Sequence, residues 1–105
     1  MIIYPAIDLM DRQAVRLYKG QKERKKIYGN PVEIAKEYAR YFDFLHIIDL
    51  DGAFSGETKN LEIVKEIAEQ TGLNIQYGGG LRTLEAIRKA YSYSIAHAII
   101  STKAF

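Results

Sequence analysis

Four short segments of the chain are almost wholly apolar and rich in β-branched residues. They stand at residues 2–7, 44–50, 74–77 and 96–100. Near-continuous apolar runs of this length are typical of strands that are buried on both faces, as in a parallel sheet. The pattern therefore predicts four parallel strands.

Three longer segments have apolar residues three and four positions apart, which is the periodicity of amphipathic helices. They span residues 31–41, 60–70 and 83–91. Asn30 and Thr83 are predicted N-caps, and Pro31 suits the first position of a helix. Gly72 is predicted to end the second helix, because glycine readily adopts the left-handed conformation found there.

Strands and helices alternate as β-α-β-α-β-α-β, which predicts an α/β fold with right-handed crossover connections. The long first connection, residues 10–30, is predicted to contain a small hairpin strand at residues 14–18. Its basic residues between positions 19 and 26 are interpreted as a solvated loop that would steer an anionic substrate if one binds nearby. No helix follows the fourth strand, so we expect a single domain, residues 1–105, that stops before a fourth helix.

The composition narrows the classes of function. The 105 residues carry a net charge of +2, which does not call for a nucleic acid or an anionic membrane as partner. The absence of cysteine excludes disulfides and thiolate metal sites, and the spacing of the two histidines suggests no metal site. No apolar run approaches the roughly 20 residues of a membrane helix, and the N-terminus lacks the features of a secretory signal. We therefore expect a cytoplasmic protein without a metal.

The polar residues that suggest chemistry all close or follow the predicted strands. In α/β folds the carboxyl ends of the strands carry the ligand site, so these residues are candidates for one site. They are Asp8 after the first strand, Asp49 and Asp51 after the second, Gly78, Gly79, Gly80 and Arg82 after the third, and Ser101 and Thr102 after the fourth.

The three consecutive glycines at residues 78–80 precede Arg82 and the predicted helix start at Thr83. Glycine N–H groups at a helix N-terminus can bind a phosphate, and an arginine can add a bidentate contact. The alternative is a tight turn from strand to helix, and the spacing alone favours neither interpretation. Ser101 and Thr102, after the adjacent strand, strengthen the phosphate interpretation.

Asp8 and His46 each allow two interpretations. Asp8 ends an apolar strand and is either a functional carboxylate or a cap for the following turn. His46 lies within an apolar strand and is either a core histidine or a site residue. Strand alternation places His46 on one face and Asp49 and Asp51 on the other, but it does not say which face points at the site.

Four motifs can be compared with known families. They read Pro-Ala-Ile-Asp-Leu at residues 5–9, Ala-Val-Arg-Leu-Tyr-Lys-Gly at 14–20, Leu-His-Ile-Ile-Asp-Leu-Asp-Gly-Ala at 45–53, and Gly-Gly-Gly-Leu-Arg-Thr-Leu-Glu at 78–85. In order and spacing they resemble the histidine-biosynthesis family of phosphoribosylformimino-5-aminoimidazole carboxamide ribotide isomerases, over essentially the whole chain. Tyr77 departs from the resemblance, since a small aliphatic residue is usual there, and Ser101 stands where glycine is frequent.

The resemblance implies a (βα)8 TIM barrel of which this chain matches only the N-terminal half. It implies an isomerase that converts an aminoaldose into an aminoketose on a phosphorylated small molecule with two phosphates, without a cofactor. The catalytic carboxylate is then Asp8, with Arg16 and His46 as substrate contacts. One of the two phosphate sites is then formed by Gly79, Gly80, Arg82, Ser101 and Thr102. A second catalytic aspartate and a second phosphate site belong to strands that the 105 residues do not include.

Two other functions remain open. One is a non-catalytic, phosphate-binding half-barrel that needs a complementing C-terminal half. The other is a cyclase-type half-barrel of imidazole glycerol phosphate synthase, although the Pro-Ala-Ile-Asp sequence at residues 5–8 favours the isomerase. An isolated half-barrel is expected to be inactive and to self-associate or pair with a complementing half, because its inner face and edge strands lack partners.

Overall fold

The computed structural model describes residues 5–18, 21–55, 59–93 and 95–99. The strands in this part of the chain are β1 (Ala6–Met10), β2 (Gln13–Tyr18), β3 (Gln21–Gly29), β4 (Phe44–Asp49), β5 (Asn74–Gly78) and β6 (His97–Ile99). The helices are α1 (Pro31–Ala39), α2 (Leu50–Ser55), α3 (Leu61–Thr71) and α4 (Leu84–Tyr91).

All six strands belong to one sheet in the order β3-β2-β1-β4-β5-β6. Strands β1, β4, β5 and β6 run parallel, and helices connect them. Strands β2 and β3 form an antiparallel hairpin that extends the sheet beside β1. The predicted order of alternating strands and helices is confirmed for the parallel part of the sheet.

Two elements differ from the sequence-based expectation. The first connection contains two strands rather than one, since β3 pairs with β2 along residues that were interpreted as a basic loop. Its sequence is strongly polar, so only the pairing with β2 makes it a strand. Helix α2 was not predicted, because six residues that include Gly52 are too few for a helical period to show.

Strand β1 also runs further than its apolar sequence predicts. The expected strand ended at Ile7, whereas the structure continues it to Met10 because β2 pairs with Asp8, Leu9 and Met10. Asp8 nevertheless lies near the carboxyl end of the parallel region. Its register partner on β4 is Ile48, one residue before that strand ends.

The predicted helix signals lie where they were expected. The Asn30 side chain accepts hydrogen bonds from the backbone N–H groups of Val32 and Glu33, at 2.8 and 3.3 Å. The Thr83 hydroxyl accepts one from the N–H of Ala86 at 3.0 Å. Gly72 ends α3 in the left-handed conformation, with φ of 72°. These local interactions set where α1, α3 and α4 begin or end, and thereby where the connecting loops lie.

The core lies between one face of the sheet and the helices. Alternate residues of β4 show this, since Leu45, Ile47 and Asp49 are fully buried while His46 and Ile48 are partly exposed. The buried apolar residues that form this core include Ile7, Leu9, Leu45, Ile47, Val64, Ile67, Ile75, Tyr77 and Leu81. The strands are thus covered on one face only, and we call the other face, with Asp8 and His46, the open face.

None of the helices in the described ranges combines the length and the apolarity needed to cross a lipid bilayer.

Candidate functional site

Asp8 and His46 share the open face of the sheet. Ala6 pairs with His46 and Asp8 pairs with Ile48 on the neighbouring parallel strand, so the two side chains are diagonal neighbours. Partial burial raises the pKa of the Asp8 carboxyl, and the positive charge of His46 acts in the opposite direction. The structure places His46 on the open face and Asp49 on the face that packs against the helices.

Arg16 lies on β2 and, by strand alternation, on the face of the sheet opposite Asp8. It follows Val15, which pairs with Asp8 across the β1–β2 ladder, and its side chain is exposed. Asp8 and Arg16 both line a cavity of about 510 Å³. This cavity lies beside the part of β1 that β2 does not cover, and Tyr28, Ile34 and Tyr38 line its other side. Residues of β1, β2, β3 and α1 therefore line one cavity of small-molecule size.

The glycine loop between β5 and α4 requires glycine at two positions. Gly79 and Gly80 have φ values of 109° and 81°, which side chains of L-residues rarely allow. A Cβ atom on Gly79 would collide with the backbone carbonyl oxygen of Asp49. The loop thus makes a tight turn from strand to helix, and this turn brings the backbone to the N-terminus of α4, where an anion site would lie.

Arg82 does not stand free at the glycine loop. Its Nη2 donates a hydrogen bond to the backbone carbonyl of Ala53 in α2, at 3.2 Å. The side chain is otherwise exposed, which leaves further guanidinium N–H groups for an anion. Ser101 and Thr102, the other predicted phosphate contacts, lie outside the described residues.

Behind this loop lies a fully buried carboxylate, Asp49, whose role the sequence did not reveal. It accepts five hydrogen bonds: from the N–H groups of Gly52 (2.9 Å), Lys59 (2.8 Å) and Asn60 (2.8 Å), from Nδ2 of Asn60 (2.7 Å) and from the hydroxyl of Tyr77 (2.8 Å). Burial, the Asp49 charge and this hydrogen bond together raise the pKa of Tyr77. Asp49 thus ties the end of β4 to α2, to the start of α3 and to β5.

Asn60 extends the network to the turn between β1 and β2. Its Nδ2 also donates to Asp51 at 3.0 Å, and its Oδ1 accepts from the backbone N–H of Arg12 at 3.2 Å. Asp51 in turn accepts from the backbone N–H of Asp11 at 2.8 Å. Asp11 and Arg12 have positive φ values of 51° and 65°, a conformation that costs free energy in non-glycine residues. The network therefore holds a strained turn that begins three residues after Asp8.

Two local signals in the sequence point to this network. Tyr77 is a tyrosine near the end of an apolar strand, and a buried phenol needs a hydrogen-bond partner. Asn60 stands at a helix start, where its side chain would ordinarily cap the helix, but in the structure it makes no such cap. Neither signal identifies the hydrogen-bond partner, because the contacts join residues up to 48 positions apart.

The glycine loop predicts a difference between two glycine substitutions. Gly72→Ala places a Cβ in open space and loses only the left-handed conformational preference, about 1 kcal/mol of unfolding free energy. Gly79→Ala combines a forbidden φ with a collision against Asp49, and we expect a loss of about 3–5 kcal/mol. Urea denaturation measures both. Equal losses for the two variants would contradict the close contact between Gly79 and Asp49.

The pairing of Asp8 with His46 predicts a charge effect. Since the folded state raises the Asp8 pKa, ionisation of Asp8 above pH 3.8 lowers the free energy of unfolding until pH passes the folded pKa. His46→Gln removes the opposing positive charge and should raise the Asp8 pKa further, as followed by ¹³C NMR of the carboxyl carbon. The matched control is His97→Gln on β6, three strands from β1 and roughly 14 Å away at ordinary strand spacing. An equal shift in both variants would show that His46 is not the specific neighbour.

Comparison with known proteins places the chain in a family. A family model described as "Histidine biosynthesis protein" matches residues 2–105. Three relatives, each named as an imidazole-4-carboxamide isomerase with two phosphoribosyl groups in its substrate name, come from Thermococcus onnurineus, Thermococcus kodakarensis and Pyrococcus furiosus. They are 58%, 52% and 52% identical over 100%, 99% and 97% of this chain. The aligned part is 46%, 45% and 42% of the respective relatives, so the chain spans less than half of their length. The chain belongs to the histidine biosynthesis protein family, and its fold is part of a TIM barrel.

Proposed function

We propose that the chain supplies one acid–base carboxylate and one phosphate-binding loop to an aldose–ketose isomerase that acts on a bisphosphorylated ribosyl amine. The observation that carries this proposal is the partly buried Asp8 on the open face, with His46 beside it. The names of the relatives supply the substrate class.

The proposed reaction is an internal redistribution of protons and electrons. An acid protonates the ribose ring oxygen, the bond between that oxygen and C1 breaks, and a C1=N iminium forms. A base then removes the C2 proton to give an enaminol. A proton is added to C1 while the C2 hydroxyl gives up its proton to a base, which yields the ketone at C2. C1 is reduced and C2 is oxidised, so the step needs no external redox cofactor.

Asp8 is the group in this chain that suits proton exchange. Its pKa is raised by partial burial, which brings a carboxyl closer to the pH at which it both accepts and gives up protons. We propose that His46 contacts the substrate beside Asp8 and that Arg16 reaches the substrate from the hairpin. A second carboxylate, required if acid and base are separate groups, would come from a complementing half of the barrel.

The phosphate site in this proposal is the glycine loop. Backbone N–H groups of Gly79 and Gly80, the guanidinium of Arg82, and Ser101 and Thr102 after β6 would surround one substrate phosphate. The positive φ values of the two glycines and the start of α4 directly after them support this assignment.

The exposed apolar residues of the open face suggest that this face binds a partner. Ile99 on this face is 40% exposed, and Ala6 is also exposed, so the face carries apolar surface that is costly in water. We propose that a C-terminal half-barrel covers it in the complete enzyme. When no such half is present, a second copy of this chain would take its place.

The catalytic part of the proposal predicts the effect of Asp8→Asn. The chain is fused to the C-terminal half of the Thermococcus onnurineus relative, and isomerisation of the aminoaldose is measured. The variant should lower kcat by about 10²–10⁴-fold and leave KM within a few-fold, since the amide cannot exchange the proton. Asp43→Asn is the control, because Asp43 is exposed and directly precedes β4, at the opposite end of the sheet. Activity of Asp8→Asn near that of the control would remove Asp8 from the mechanism, and a fusion that binds phosphate without turnover would favour the non-catalytic alternative.

The open face predicts self-association of the chain alone. At micromolar concentration, sedimentation velocity should show dimers or larger species. Ile99→Lys places a charge on the exposed open face and should shift the distribution toward monomer. The control is Leu84→Lys, which alters a more exposed apolar residue on α4, away from that face. A monomeric wild-type chain with cooperative unfolding would show that the open face needs no partner.

A further inference from the structure

We propose that the Tyr77 hydroxyl is a positioning group that sets the glycine loop at residues 79–80 for phosphate. This inference rests on the proposed function of that loop. It concerns how the loop is held by the residues behind it and involves no contact between Tyr77 and the ligand.

Tyr77 is bound to Asp49 on the buried side of the sheet. It is fully buried, and its hydroxyl donates to Oδ2 of Asp49 at 2.8 Å. The register pairs Tyr77 with Ile47, so the hydrogen bond reaches two residues further along the neighbouring strand. It therefore cross-links the carboxyl ends of β4 and β5 through side chains, in addition to the backbone ladder.

The Asp49 carboxylate does not need this hydroxyl for its own stability. Four N–H donors already reach its two oxygens, from Gly52, Lys59 and twice from Asn60. Two carboxylate oxygens offer about four lone-pair sites, so the tyrosine is a fifth donor. Tyr77→Phe therefore leaves a buried but satisfied charge, and we expect the variant to fold.

The same residue, Asp49, also supports the glycine loop directly. The Gly79 backbone packs so closely on the Asp49 backbone that a Cβ would collide there. Gly79 lies two positions after Tyr77 along the chain, and both residues contact Asp49. Arg82 adds a third attachment through Ala53 of α2, whose first turn Asp49 also binds through Gly52.

These attachments differ in what they constrain. The Gly79 contact is repulsive and limits how near the loop comes to β4, whereas the Tyr77 hydrogen bond is attractive and limits how far the end of β5 moves away. Together the two contacts fix the distance between the loop and the end of β4. An anion site built from backbone N–H groups needs such fixation, because its donors must converge on one point before the ligand arrives.

The test is a titration of the chain with inorganic phosphate, followed by amide NMR. In the wild type, the Gly79 and Gly80 amides should shift and saturate. In Tyr77→Phe we expect the dissociation constant for phosphate to rise about fivefold, which is the scale of one lost hydrogen bond. The amide chemical shifts of Gly79 and Gly80 in the phosphate-free protein should also change. Tyr77→Met, a second variant without the hydroxyl, should act in the same direction.

The matched control is Thr71→Val at the other end of β5. The Thr71 hydroxyl donates to the carbonyl of Ile67 at 2.6 Å and accepts from the N–H of Leu73 at 3.1 Å, so this variant also loses buried hydrogen bonds. Urea denaturation measures the stability of each variant. We expect Thr71→Val to lose stability and to keep the wild-type phosphate affinity.

The possible results separate the two proposals. If wild-type phosphate shifts fall elsewhere than on Gly79 and Gly80, the phosphate site itself is wrong and this inference falls with it. If the wild type binds there and Tyr77→Phe binds equally well, only the positioning role is overturned. If Thr71→Val weakens binding as much as Tyr77→Phe does, affinity follows global stability and the hydroxyl has no specific role.

Discussion

The carboxyl edge of the sheet is organised around one buried negative charge. Transferring a carboxylate from water into a protein interior costs several kcal/mol unless hydrogen bonds replace its hydration. Asp49 obtains five such bonds, and the donors come from three different segments of the chain. Gly52 and the start of α3 cannot move away without leaving the charge short of a donor, and Tyr77 adds a fifth donor from the end of β5. The end of β4, the first turn of α2, the start of α3 and the end of β5 are therefore held together by one requirement.

The two aspartates near the carboxyl ends of β1 and β4 lie on opposite faces of the sheet. Asp49 has a structural role, whereas Asp8 is the proposed catalytic group. Asp49 points toward the helices and is saturated with donors, so it has nothing left to offer a substrate. Asp8 points to the open face, is only partly buried and has a raised pKa. Asp8 and Ile48 are register partners, and Asp49 follows Ile48 directly. A shift of β4 by one residue would turn Asp49 to the open face beside Asp8 and remove the buried carboxylate from the helix side, which is why the fully packed core on that side matters for the site.

Local patterns in the sequence were enough for the parts of the fold that depend on local physics. Helix caps at Asn30 and Thr83, the stop at Gly72 and the apolar strands follow from interactions within a few residues, and all were predicted. Strand β3 was not, because its polar residues become a strand only by pairing with β2. The sequence does not predict the network of Asp49, Asn60 and Tyr77 for the same reason, because its hydrogen bonds join residues 11 and 28 positions apart. Asp8 was recognised from its place at the end of a strand, but its face could be assigned only from the register with β4.

In the proposed enzyme, the half-barrel that completes the fold would also change the pKa of Asp8. Burial is the main cause of the raised Asp8 pKa in this chain, although one face of the sheet is still open to water. In the proposed enzyme, a complementing half that covered this face would remove more water from Asp8 and raise its pKa further. A second carboxylate on that half would act in the same direction, because like charges disfavour ionisation. His46 acts in the opposite direction and lowers the Asp8 pKa. The Asp8 pKa would then reflect both the proposed cover and the neighbouring histidine. The open face would serve docking through its apolar surface and chemistry through the side chains of Asp8 and His46.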